Sequence, residues 1–134
     1  MKIGRIVGIA VLVLFWVTLT TAFANESAVR IEAPESAQPG QEVEILVHVS
    51  HSGNNFMHYT ELVELEINGE LVEKWEYSNF SKPPEEAFTV RYFYAADQDF
   101  TISARAVCNM HGSRNTDVVN VTVASDAAPT EAAE

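Results

Sequence analysis

At 134 residues the chain has room for one domain, and 47% apolar with 10% aromatic residues is enough for a packed core. A formal charge of -11 excludes a nucleic-acid binder, whose phosphate contacts need a basic surface, and equally a protein that docks on anionic lipid. An acidic balance of this size is the surface of a soluble protein.

The chain opens with Lys2 and Arg5, then an apolar run from Ile6 to Val17 that weakens through Thr18, Thr20 and Thr21 to Phe23. Ala22-Phe23-Ala24 fits the small-x-small cleavage pattern and leaves Asn25 as the first mature residue. The expectation is a secretory signal peptide over residues 1–24 and an exported protein, periplasmic or extracellular. The alternative is an uncleaved membrane anchor, since about 18 apolar residues can just span a bilayer.

From Asn25 onward the pattern is one of strands and turns. Ala28 to Ala33 is a short strand stopped by Pro34, and Pro39-Gly40 makes a turn. Glu42 to Ser50 alternates, with Val43, Ile45, Val47 and Val49 on one face and Leu46 and His48 on the other. His51 to His58 is a loop broken by Gly53-Asn54-Asn55. Thr60 to Ile67 and Leu71 to Tyr77 form a hairpin about Asn68-Gly69, residues that tolerate positive φ. A crossing loop with Pro83-Pro84 leads to a strand over Phe88 to Tyr94. Phe100 to Cys108 carries Phe100, Ile102, Ala104, Ala106 and Cys108 on one side, and Asp117 to Ala124 is the last strand. About seven strands without a helix predict an all-β, immunoglobulin-like antiparallel sandwich over residues 25–124. The alanine-rich acidic tail, residues 125–134, is expected to be disordered.

The chemistry-bearing residues cluster. The only cysteine, Cys108, cannot form a disulfide within the chain, and export gives an unpaired cysteine reason to be explained. His111 follows it by three positions, across a turn that Gly112 allows to bend closely. His48, His51 and His58 fall at or beside the other loop. If the two loops lie at one end of the sandwich, thiolate and imidazoles can meet on one ion. That donor set suits iron, copper or zinc and not calcium or magnesium.

The segments His51-Ser52-Gly53-Asn54-Asn55-Phe56-Met57-His58-Tyr59, Thr60-Glu61-Leu62-Val63-Glu64-Leu65 and Cys108-Asn109-Met110-His111-Gly112 resemble the iron-binding domain of the desulfoferrodoxin and superoxide reductase family. The resemblance spans about Glu42 to Arg114. It implies one iron per chain, held by equatorial histidines with Cys108 as the axial thiolate, and His51, His58 and His111 as imidazole ligands. It also implies reduction of superoxide to hydrogen peroxide, with an external electron-donor protein. The family's upstream Glu-Lys-His-Val-Pro stretch has no counterpart here. His48 is therefore expected to supply the fourth imidazole, or the site has only three. With the lysine of that stretch missing, Arg114 is the candidate to attract the anionic substrate, ahead of Lys82. The rubredoxin-like domain of some members needs four cysteines and has no counterpart in a chain with one. Two other readings stay open: a copper electron carrier, which wants a methionine as weak axial ligand and offers only Met110, and a metal-free exported binding module. A homo-oligomer is compatible with any of them.

Overall fold

The computed structural model describes residues 25–124, and both the leader and the acidic tail lie outside the described residues. Among the described residues eight strands make two sheets. The first sheet joins β1 (Ala28–Glu32), β3 (Glu42–Ser50) and β6 (Ala87–Ala95) in the order β1-β3-β6. The second joins β2 (Ser36–Ala37), β8 (Thr116–Val123), β7 (Phe100–Cys108), β4 (Thr60–Ile67) and β5 (Glu70–Glu76) in the order β2-β8-β7-β4-β5. The described residues are thus all-β, as the alternation requires. The strand not foreseen is β2, which runs parallel to β8 through Ser36↔Thr122 and Ala37↔Val123. Two residues are too few to carry a period.

Alternation decides what fills the space between the sheets. Val43, Ile45, Val47 and Val49 of β3 are buried. They share one core with Val63, Leu65 and Ile67 of β4 and with Ile102, Ala104 and Ala106 of β7. Ile45, Leu65 and Ile102 are fully buried, and each such side chain contributes about 1.5–3 kcal/mol relative to exposure. The β4–β5 turn has φ of 54° at Asn68 and 80° at Gly69, the positive pair of a type I′ hairpin.

Two registers set up the mouth of the sandwich. Thr60, which opens β4, pairs with Cys108, which closes β7. The loop before β4 and the loop after β7 therefore emerge together. On the other sheet, β3 ends at Ser50, and the backbone of His51 extends the ladder by donating to the Glu86 carbonyl (2.8 Å). The edge strand β1 is held there too: the Val29 amide donates to Asn115 Oδ1 (2.9 Å) and the Ile31 amide to Asp117 Oδ2 (2.6 Å).

Candidate metal centre

His51 follows Val47 and Val49 in the same parity, so it turns inward and is 3% exposed. Its tautomer is set by Asn54. Asn54 Oδ1 accepts the Thr60 amide (2.9 Å), and Asn54 Nδ2 donates to the Glu85 carbonyl (2.6 Å), which fixes the orientation of the amide group. The 2.9 Å contact between Asn54 Oδ1 and His51 Nδ1 then requires that Nδ1 carry the proton. His51 Nε2 is left with a lone pair, the arrangement by which an outer partner orients an imidazole ligand.

That lone pair faces other donor atoms. His51 Nε2 is 3.1 Å from His58 Nε2 and 3.3 Å from the Asn25 carbonyl oxygen. His58 Nε2 is 3.2 Å from the same oxygen and 3.0 Å from His111 Nδ1. One ring nitrogen carries at most one hydrogen, so these close approaches cannot all be hydrogen bonds. Burial holds His58 below the usual imidazole range; a hydrogen bond to the Asn25 carbonyl opposes this, and His51 and His111 add to the lowering. A neutral imidazole is the form that binds metal.

Cys108 completes the group. It is the last inward-facing residue of β7 and is buried. The metal-binding atoms of His51, His58 and Cys108 all lie within 4.8 Å of one another, and Cys108 Sγ is 3.8 Å from His111 Nδ1. The loop that carries His111 closes on itself. The Cys108 amide donates to the Gly112 carbonyl (2.8 Å), and the Gly112 amide donates to the Cys108 carbonyl (3.1 Å). Gly112 has φ of +83°, which a side chain would disfavour. The Met110 amide donates to the sulfur (3.4 Å). Asn109 ties the two loops together: its Oδ1 accepts the Tyr59 amide (3.0 Å) and its Nδ2 donates to the Met57 carbonyl (3.1 Å).

The expectation for His48 is corrected. The same parity that turns His51 inward turns His48 to the outer face of the first sheet. There its Nδ1 meets Thr89 Oγ1 and its Nε2 meets Glu32 Oε2, each at 2.9 Å. His48 is not part of the group. The structure brings to it instead the backbone oxygen of Asn25, a residue with no expected ligand role. A main-chain carbonyl has no side-chain signature, so no motif could have pointed to it. Arg114 is exposed and lines a surface cleft with His51, Glu26 and Glu86. Lys82 is exposed on the loop between β5 and β6. Met110, the methionine that a copper site would need, is 63% exposed.

The donor spacings fit a transition-metal ion. With metal–nitrogen bonds of about 2.1 Å, neighbouring donors of a tetrahedral or octahedral shell stand about 3.0–3.4 Å apart. The nitrogen and oxygen separations above, 3.0 to 3.3 Å, fall in that interval.

Comparison with known proteins agrees with this picture. The family model for desulfoferrodoxin matches residues 20–117. No curated protein matches the chain. A solved superoxide reductase (neelaredoxin) from Ignicoccus hospitalis is 20% identical with a TM-score of 0.62, over 75% of this chain and 83% of that one. A CARDB domain from Pyrococcus furiosus, solved with di-metal ions, is 22% identical with a TM-score of 0.58, over 75% and 94%. A fibronectin(III)-like module of Clostridium thermocellum CbhA is 18% identical with a TM-score of 0.50, over 71% and 94%. At such identities the structural likeness speaks for the sandwich alone.

Proposed function

This chain belongs to the desulfoferrodoxin family, and from that premise we propose that it is an exported mononuclear iron protein that reduces superoxide to hydrogen peroxide. The observation that supports the reading most is the convergence of His51, His58, His111 and Cys108 at one end of the sandwich. Iron, when bound, would supply the single electron, and an external donor would restore it.

The chain's own residues have separable tasks. His51, His58 and His111 would hold the ion through imidazole nitrogens. Cys108 would give the thiolate, and its burial keeps water from the sulfur. Asn54 holds His51 in the tautomer that leaves Nε2 free. Asn109 keeps the two ligand loops in register. Two protons complete the reduction of superoxide to peroxide, and the exposed face of His111 leaves the site open to water. Superoxide is an anion approaching an acidic protein, so a local cation must offset the field. Arg114, which lines the cleft beside His51, would do so.

The test is metal analysis and pulse generation of superoxide on the purified protein. The expected result is one iron per chain, with one peroxide formed for each superoxide and each electron consumed. Cys108→Ser should abolish the sulfur-to-iron absorption of the oxidised protein. Bound iron with no superoxide-dependent oxidation would refute the reaction and leave the metal centre standing. Stoichiometric copper with no affinity for iron would refute both.

A further inference from the structure

We infer that removal of the leader after Ala24 makes the α-amino group of Asn25 a metal ligand, so that export itself completes the metal centre. The inference rests on the metal-centre reading above and deepens it. Three observations carry it.

The first is position. The Asn25 carbonyl oxygen lies 3.3 Å from His51 Nε2 and 3.2 Å from His58 Nε2. The two nitrogens are 3.1 Å apart, so the oxygen closes a nearly equilateral triangle of donors. The second is anchorage. Ser27 is fully buried, and its hydroxyl pairs with Thr60 Oγ1 at 2.9 Å. Its carbonyl accepts the Arg114 amide (2.8 Å), and its own amide donates to the Gly112 carbonyl (3.4 Å). The chain is thus fastened to the Cys108–His111 loop just two residues after Asn25. The third is the sequence. Ala22-Phe23-Ala24 places the expected cut directly before Asn25, whose backbone oxygen enters the imidazole group.

The chemistry follows. In the uncut chain the Asn25 nitrogen is an amide, its lone pair delocalised into the peptide bond and useless to a metal. Hydrolysis of the Ala24–Asn25 bond adds water across it, leaving a carboxyl on Ala24 and a basic amine on Asn25. Amine nitrogen and carbonyl oxygen of one residue then close a five-membered ring with a shared cation. This supplies the donor that His48 does not, and it delays full metal affinity until the leader has gone.

Three forms of the protein test this: residues 25–134 with a free Asn25 amine, the same chain acetylated at Asn25, and a chain starting at Ala22. Acetylation keeps the Asn25 carbonyl and removes only the amine. Each form is titrated with Fe2+ without oxygen, and with Co2+ for its ligand-field spectrum, against a competing chelator. Mass spectrometry of the exported protein reads its first residue. The expected result is an exported chain beginning at Asn25. The free-amine form should bind at least about tenfold more tightly, the lower end of what loss of a mere outer partner costs. Its Co2+ spectrum should differ from those of the other two, which should match each other. Equal affinities and spectra in all three forms would overturn the inference while leaving the metal centre intact, as would an exported chain starting elsewhere. Absence of binding in every form would overturn both.

Discussion

Asn54→Ala separates the two tasks that a single oxygen performs in this protein. Asn54 Oδ1 accepts both the Thr60 amide and His51 Nδ1–H. Thr60 is fully buried, so its amide loses its partner with no water to replace it. An unpaired buried donor costs about 1–3 kcal/mol, and this should appear in the metal-free protein as a lower urea midpoint with an unchanged slope. The His51 ring is at the same time released from its tautomer. Loss of such an outer partner weakens metal binding by about 10–100-fold, or about 1.4–2.7 kcal/mol. A competition titration with Co2+ reads this loss independently of folding. Asn54→Asp keeps an acceptor for both donors and gives up only the amide donated to the Glu85 carbonyl. It should therefore retain metal affinity close to that of the parent. If Asn54→Ala binds Co2+ as tightly as the parent with the same spectrum, the tautomer argument is wrong, and with it the role given to His51.

His48→Ala should leave metal affinity and spectrum unchanged, and a loss of metal would restore His48 as a ligand. In the same variant the Glu32 carboxyl, held below its usual range chiefly by the hydrogen bond from His48, should titrate at a higher pH by NMR. His58 is depressed chiefly by burial, so between its folded value and the ordinary imidazole value of about 6.5 the unfolded chain binds more protons. Stability of the metal-free protein should accordingly rise with pH through that window and level off above it, and His58→Gln should flatten the rise in urea midpoints. Gly112→Ala meets no atom within 4 Å but keeps φ at +83°, so only backbone strain is added. The expected loss is about 1–2 kcal/mol in denaturant unfolding, and no loss would mean that the loop relaxes freely.

Much of this protein is determined by local pattern. A period of two over Glu42–Ser50 and Phe100–Cys108 decides which residues are buried, and the sandwich follows from having no other place for those faces. The same parity already distinguishes His51, inward, from His48, outward; His48 entered the expected ligand set because it sits beside the His51–His58 loop and because the family's usual count of imidazoles called for another. What the tertiary structure alone decided is convergence. The Thr60↔Cys108 register joins residues 48 positions apart, and Asn25 reaches His51 and His58 across 26 and 33 positions. Periodicity describes the faces of one strand and carries no information about which distant strand lies beside it. Nor can it reveal a backbone oxygen, which every residue possesses, as the one that the fold has aimed at a cluster of lone pairs.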